Sequence, residues 1–542
     1  MHRLTLAAFL LAAPAAFAQL AVTSTTPTIN ANNQSRTQTI TVNFDRAVNP
    51  ATFTANNFRV FGKLTGPVAG TLAFTNGDTR VTFTPSVTLA AGEQVLVVMS
   101  RNLQAADNSF LRAQGYTFTF TTGVTPTYHK FRHLATLTNI DPTGAQTRIY
   151  GGLACDLNHD GSCDLTTVNE VSADLRVFLN RDDGSGLFQP MLAPYTPVPV
   201  ESSPNDVGDF NNDGHIDVVT SSAGDDIAVC FGNGDGTFDP PLILTVGFYP
   251  RGFGILDCDG DGDLDITVAN AVSHTVSIIR SNNNGTFQPP VNMSVAGGPY
   301  GMQAADMNND GILDLAIGCR DSQQAKILRG NGNGTFTQVS ARPIGGSNWV
   351  VTCADLNNDG NMDMSAANSH SSNGSVLLGN GNGTMQAAQV VATGGHTVST
   401  DLADLDGDGD IDWILSSYGA GEWYVYLNNG SGQFSIDMTI PAPANPSCAV
   451  PMDIDNDGDI DLVLTDEIAD DIVILRNECS VDFNGDGLFP DNQDLEDFLS
   501  VFGGGACPTG NCDTIDFNND GLFPDNEDIE DFFNVFGGGA CA

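Results

Sequence analysis

A chain of 542 residues is too long for a single hydrophobic core and implies three or four domains. With 41% hydrophobic and 16% charged residues and 59 glycines, it reads as a globular protein of short strands and many turns, not a disordered one. Sixty-five acidic against 20 basic residues give a net charge of −45, which repels nucleic acid and anionic membrane and excludes both as partners.

The first 18 residues read as a secretion signal. Met1-His2-Arg3 is a basic start, Leu4 to Phe17 is apolar but too short to span a bilayer, and Ala16-Phe17-Ala18 predicts cleavage after Ala18. No later stretch approaches the ~20 apolar residues of a membrane helix, so no membrane span is expected. The expected location is extracellular or at the cell surface. Export permits disulfides, and 11 cysteines, an odd number, leave at least one unpaired or paired between chains.

Residues 19–124 predict a β-sandwich. Thr39–Phe44, Phe58–Phe61, Thr71–Phe74, Arg80–Thr84, Gln94–Met99 and Tyr116–Thr121 alternate apolar and polar residues between turn formers. The stretches Val42–Pro50 and Phe118–Gly123 resemble the bacterial Ig-like domain of S-layer proteins, which implies a spacer or adhesion module.

Residues 128–479 are organised by a repeat. The pattern D-x-[DN]-x-D-G-x-x-D begins at Asp156, Asp209, Asp257, Asp306, Asp355, Asp404 and Asp453, at intervals of 53, 48, 49, 49, 49 and 49 residues. Most of the excess Asp lies in these copies, a spacing that favours cation binding over a merely solvated surface. A Gly/Asn-rich turn ending in Thr-Phe, as at 232–238, 282–287 and 330–336, keeps the same step. Each unit reads as four short strands: one before the Asp loop, such as Gly301–Ala305; one after it, such as Asp314–Gly318; a third, such as Ala325–Leu328; and a fourth starting from the Thr-Phe. Four strands in about 49 residues is the size of a β-propeller blade, and seven units predict seven blades. The last unit lacks a fourth strand after Asp471–Arg476, while a spare strand, Lys130–Leu137, precedes the first. Donating one to the other removes two open edges; an open solenoid is the alternative. The repeats resemble the FG-GAP/VCBS family, which implies a calcium-loaded propeller.

In each loop the side chains at positions one, three, five and nine offer the hard oxygens that Ca²⁺ takes six to eight of, with Gly at six for the turn and a main-chain carbonyl near seven. The candidate ligands are Asp156, Asn158, Asp160 and Asp164; Asp209, Asn211, Asp213 and Asp217; Asp257, Asp259, Asp261 and Asp265; and Asp306, Asn308, Asp310 and Asp314. The series continues with Asp355, Asn357, Asp359 and Asp363; Asp404, Asp406, Asp408 and Asp412; and Asp453, Asp455, Asp457 and Asp461. The last ligand stands at nine on a strand, not at twelve on a helix, so these are not EF-hands. The three loops with Asp at position three carry one more charge and should bind more tightly. The metal is expected to be structural, with affinities near ~10⁻⁴–10⁻³ M.

Six residues before each first Asp stand Tyr150, Ser203, Arg251, Tyr300, Trp349, Val398 and Ser447. At ~3.3 Å per residue they fall about 20 Å from the Asp loops, on the opposite face. Tyr150, Arg251, Tyr300 and Trp349 are therefore candidates for binding an extracellular glycan or surface protein.

Residues 480–542 hold a 34-residue duplication, Asp482-Phe-Asn484-Gly-Asp486-Gly487 and Asp516-Phe-Asn518-Asn-Asp520-Gly521. Each copy is followed by a helical pattern (Leu495, Phe498, Leu499 and Phe502; Ile529, Phe532, Phe533 and Phe536) that stops at Gly-Gly-Gly. Loop-then-helix twice over resembles a dockerin, an EF-hand-like pair. This implies Ca²⁺ at Asp482, Asn484, Asp486 and Asp494, and at Asp516, Asn518, Asp520 and Asp528, and a cohesin-like partner. Asp491-Asn492 and Asp525-Asn526 depart from the usual recognition residues. Cys479, Cys507, Cys512 and Cys541 are expected to form two disulfides of unread connectivity.

The chain carries no G-x-S-x-G, H-E-x-x-H or phosphate-loop motif. A non-catalytic, calcium-binding adhesion or carbohydrate-binding protein is the expected function, with a calcium-dependent polysaccharide-active enzyme as the alternative.

Overall fold

The computed structural model describes residues 19–127, 130–140, 142–200, 203, 205–477, 483, 492–506, 515 and 526–536. The secretion signal lies outside the described residues, as do Asp482, Asn484, Asp486, Asp516, Asn518, Asp520 and the four C-terminal cysteines.

The N-terminal unit is two facing sheets. Val22–Thr26, Ile40–Phe44, Arg80–Pro85 and Gly70–Thr75 form one; Ala31–Gln34, Tyr116–Thr122, Gln94–Met99, Phe58–Gly62 and Gly66–Pro67 form the other. Alternation puts Val42, Val81, Val95, Val97, Phe118 and Phe120 between them.

Seven four-stranded antiparallel sheets follow, one for each Asp loop, and are numbered here by loop order. Sheet 4 is typical: Pro299–Ala305, Asp314–Cys319, Gln324–Gly330 and Phe336–Pro343 pair in sequence order. The second strand is wholly buried in every sheet, which explains its nearly continuous apolar run. Sheet 7 is assembled from both ends of this region. Pro446–Met452, Asp461–Asp466 and Asp471–Asn477 take Phe131–Thr138 as their fourth strand, in antiparallel register from Phe131 opposite Asn477 to Thr138 opposite Asp471.

The fourth strands do not all begin at the Thr-Phe. In sheets 2 and 3 the Phe makes only an isolated bridge (Gly232 with Phe238, Ser281 with Phe287), and the strand resumes at Leu242–Thr245 and Val291–Ser294. The prolines at 240–241 and 289–290 lie in these gaps and have no N–H for the ladder, while sheet 5 breaks the same way without proline, between the Met385 bridge and Gln389–Ala392.

Neighbouring sheets are pinned at the second residue of the Asp loop. Asn428 Nδ2 of sheet 6 donates to the Leu356 carbonyl of sheet 5 at 2.8 Å, and Asn477 Nδ2 of sheet 7 donates to Leu405 of sheet 6 at 2.9 Å. Asn180 Nδ2 of sheet 1 donates to Ile454 of sheet 7 at 2.8 Å. The first strand of each sheet packs against that of the next, and the first strand of sheet 7 packs against that of sheet 1.

Two helices, Asn492–Phe502 and Asn526–Phe536, occupy the predicted C-terminal positions. Phe498 and Phe532, equivalent in the duplication, stack at 3.8 Å in their shared core. The first helix ends where Gly504 takes a φ of +80° and donates to the Val501 carbonyl.

Asn477 is fully buried and also donates to Ile460 at 3.1 Å. Asn477→Ala strands two buried carbonyls and should cost about 2–3 kcal/mol, measured as a lower denaturant midpoint at unchanged slope.

Candidate functional site

Each Asp loop hangs on two apolar anchors. Position two (Leu157, Phe210, Cys258, Met307, Leu356, Leu405, Ile454) and position eight (Cys163, Ile216, Leu264, Leu313, Met362, Ile411, Ile460) are all buried. Between them the backbone turns sharply inward. Position six is Gly in every copy, with φ from +74° to +99°. Position four is also left-handed in every copy and is filled by Asn, Gly or His.

This turn faces the side chains of positions one, three and five inward. The position-one carboxylate accepts the N–H of the position-six Gly in all seven loops, as between Asp306 and Gly311 at 2.8 Å. Position five accepts the N–H of position seven in all seven, as between Asp310 and Ile312 at 2.9 Å. Position nine is a clamp. Asp461 accepts from Ile454 N at 2.8 Å with one oxygen and from Asn477 N with the other at 2.6 Å, joining the start of the loop to the end of the third strand. Asp164, Asp217, Asp265, Asp363 and Asp412 make the same two bonds.

The electrostatics are those of a cation site. Burial pushes Asp164 up to about 7, Asp217, Asp314, Asp363 and Asp461 to about 8 and Asp412 to about 9, against backbone hydrogen bonds that lower each. At position one, burial raises Asp257, Asp404 and Asp453 to about 7, and neighbouring loop carboxylates add to the rise. In the three loops with Asp at position three, carboxylate oxygens converge: those of Asp257, Asp259 and Asp265, of Asp404, Asp406 and Asp412, and of Asp453, Asp455 and Asp461 lie within 4.8 Å of one another. Asp314 Oδ2, Asp453 Oδ1 and Asp459 Oδ1 are buried without a hydrogen-bond partner among the described residues. An all-oxygen donor set with buried, unbonded carboxylate oxygens fits a hard divalent cation such as Ca²⁺.

Position seven holds a carboxylate that the spacing argument passed over. Asp263, Asp410 and Asp459 occur in the same three loops that carry Asp at position three. Burial and four neighbouring carboxylates drive Asp459 to about 10. The signal was an Asp directly after the position-six Gly in these three loops. His159 of loop 1 and His215 of loop 2 hydrogen-bond to each other at 2.9 Å.

The opposite face differs from expectation. Tyr300 and Arg251 are 2% and 6% exposed, so they do not line an open surface. Arg251 is drawn in by the carbonyls of Ser203, Ser222 and Pro250, and its guanidinium lies 3.8 Å from the Tyr249 ring centroid. Trp349 and Tyr150 are half-buried and border a cavity of about 130 Å³ at the mouth between the sheets, with Ser203, Val398 and Ser447. Around Trp349 runs an aromatic arc that sequence spacing did not show. Tyr249 meets Tyr300 at 6.3 Å, Tyr300 meets Trp349 at 4.6 Å, Trp349 meets His396 at 5.9 Å, and His396 meets Tyr418 at 6.0 Å. The added members come from the connections between strands, where the repeat is most variable.

In the C-terminal pair, Asp494 and Asp528 are buried within the helices. Leu499 and Phe533, again equivalent in the duplication, are exposed at 45% and 43%.

The FG-GAP-like repeat family matches six overlapping spans, 156–220, 209–268, 257–317, 306–366, 355–415 and 404–464, which together cover more than half of the chain. The chain belongs to the FG-GAP-like repeat family. A bacterial Ig-like domain matches residues 18–122 of this FG-GAP-like repeat protein. Its fold is similar to that of an Agrocybe aegerita lectin studied for recognition of non-reducing terminal N-acetylglucosamine, with 18% identity, 78% of this chain and 94% of that one covered, and a TM-score of 0.38. It is also similar to BBS1N in complex with ARL6DN (12% identity, 65% and 98% covered, TM-score 0.45) and to a protein from Lactobacillus plantarum (13%, 72% and 97%, TM-score 0.41). No curated protein matches the chain. No helix among the described residues is long and apolar enough to cross a membrane.

The raised carboxyls set a pH dependence. A position-nine Asp that titrates near 8 when folded, against an ordinary value of 3.8, holds its proton in the folded state across that interval. Raising the pH forces the folded form to ionise and costs stability. Protein stripped with EDTA should therefore melt at a lower temperature at pH 8 than at pH 5, and added Ca²⁺ should raise the melting temperature more at pH 8. Calorimetry at the two pH values checks both signs.

Proposed function

We propose that this protein is a secreted, calcium-dependent, non-catalytic binding protein built on a seven-bladed β-propeller. The ring reading is supported by the pairing of Phe131–Thr138 with Asp471–Asn477, the Asn180 bond to Ile454 and the packing of the first strand of sheet 7 on that of sheet 1. The calcium reading is carried by one observation: all seven loops bury the carboxylates of positions one and nine, and in three loops a third carboxylate converges on them within 4.8 Å, a concentration of like charge that a cation would offset. The ions hold the blade turns; Asp156 to Asp461 at positions one, three, five and nine are the ligands, and Asp263, Asp410 and Asp459 add charge to three sites.

The partner side is the aromatic arc around Trp349, with Tyr150, Tyr249, His370, His396 and Tyr418, facing an extracellular glycan or surface protein. Flat aromatic rings beside polar groups suit the apolar face and hydroxyl edge of a sugar. The symmetric exposure of Leu499 and Phe533 supports a separate docking role for the C-terminal pair, on a cohesin-like partner.

Isothermal titration of EDTA-stripped protein should show several Ca²⁺ sites near ~10⁻⁴–10⁻³ M, the tightest in loops 3, 6 and 7. Asp453→Asn with Asp455→Asn should remove one of these tight sites, and loss of none sinks the calcium reading. A glycan array with and without EDTA, then a product assay on the hits, separates a binding protein from a calcium-dependent polysaccharide-active enzyme. On any hit, Trp349→Ala should weaken binding about tenfold.

A further inference from the structure

The N-terminal sandwich does not stand off as a spacer: it sits on the Asp-loop face, and together with the segment leaving it bonds to every loop. Arg101 donates through its backbone N–H to the Gly260 carbonyl at 2.7 Å and through its guanidinium to the Asp259 carbonyl at 2.6 Å, both in loop 3. Arg112 donates to the Asp310 and Gly311 carbonyls of loop 4 at 2.7 and 2.6 Å, and Thr117 N also donates to Gly311 O. Asn32 Nδ2 reaches the Asp355 carbonyl of loop 5 at 2.7 Å. The segment leaving the sandwich continues the pattern: Thr127 N donates to Asp406 O in loop 6 and Thr125 N to Gly458 O in loop 7. Leu64 O accepts from Asp156 N in loop 1, and Asn56 accepts from Asn212 in loop 2.

The backbone groups that the sandwich and the segment leaving it bond in loops 3 to 7 are main-chain carbonyls at positions one, three, four, five and six, beside ion pairs from Arg101 to Asp259 at 3.7 Å, Arg59 to Asp263 at 3.0 Å and Arg36 to Asp453 at 3.6 Å. These belong to the turn whose side chains converge on the proposed ion. Their directions are set by the left-handed residues at positions four and six, and the position-six N–H is held by the position-one carboxylate in each of these loops. If the carboxylates repel, the turn opens and the carbonyls leave the sandwich's donors.

We propose that calcium binding and docking of the Ig-like domain are one coupled equilibrium: the ions set the loop backbone that the sandwich recognises, and the docked sandwich raises the affinity of the loops for calcium. This rests on the calcium reading of the loops. In calcium-poor surroundings the sandwich detaches and uncovers the loop face, while in calcium-rich surroundings the two units form one body. Reciprocity is a thermodynamic requirement of such coupling.

Two measurements on the full chain test it. The first is the double variant Arg101→Ala, Arg112→Ala, titrated with Ca²⁺ calorimetrically. Coupling predicts affinity at least about fivefold weaker. Removing two cations beside acidic loops should by simple electrostatics make Ca²⁺ bind more tightly, so unchanged or tighter binding overturns the proposal. The second is hydrogen exchange on the wild type across a Ca²⁺ series. The amides of Arg101, Thr117, Thr125 and Thr127 should lose protection as calcium is removed, before the amides of Asp265–Asn270 in sheet 3 do. The proposal falls if the interface amides stay protected without calcium, or open only together with the sheet. If no calcium binds at all, the loop reading itself has failed, a result distinct from both.

Discussion

In six of the seven repeats, one buried carboxylate at the ninth loop position takes two backbone N–H groups, one from the start of its own loop and one from the end of the third strand. No neutral side chain of that length accepts with both arms, so this one residue ties the start of the loop to the end of the third strand, beside the ladder that pairs the second and third strands. The cost is a charge held where water does not reach, beside two or three more of the same sign. Everything else about the loop answers that cost. Apolar residues at two and eight anchor it, left-handed residues at four and six turn it inward, and the acidic side chains at one, three and five gather oxygens around one point. On the proposed calcium reading, a divalent cation would turn this concentration of like charge from a liability into a fastening.

The fastening is local, yet its effects are long-range, because the same few residues serve three neighbours. The second loop residue supplies the carbonyl that pins the next sheet through Asn180, Asn428 or Asn477. The outward carbonyls of the turn receive the sandwich. A loop that loses its shape therefore loosens its own sheet, the joint to the next and the cover above. The sandwich brings Arg36, Arg59, Arg101 and Arg112 to this face, so a substantial part of the chain's small stock of basic residues is spent where the acidic loops crowd.

The repeat architecture was legible in the residues because its signals are local and repeated seven times. A loop of nine residues fixes its own turn through Gly and Asx chemistry, and a 49-residue step fixes the sheet count. The strand that completes sheet 7 could also be read, since a missing fourth strand at one end and a spare one at the other leave one economical pairing. The starts of the fourth strands were misread because the residue ending the Gly/Asn turn makes only one bridge in several sheets before the chain leaves the ladder, at proline pairs in sheets 2 and 3 and without proline in sheet 5. The opposite face was misread for a different reason. Counting six residues back places a Cα but not a side chain, and the carbonyls of Ser203, Ser222 and Pro250 draw Arg251 inward, where spacing had put it on an open rim.

By itself the sequence determined the sandwich strands, the seven Asp loops with their ligand slots, the four-stranded unit and the two C-terminal helices, because each follows from periodicity and turn chemistry within a few tens of residues. Tertiary structure alone decided that the sandwich covers the loop face, that Tyr249, His370, His396 and Tyr418 join Trp349 in one arc, and that Tyr300 and Arg251 are buried. These depend on which surfaces meet across hundreds of residues, and no local pattern encodes that.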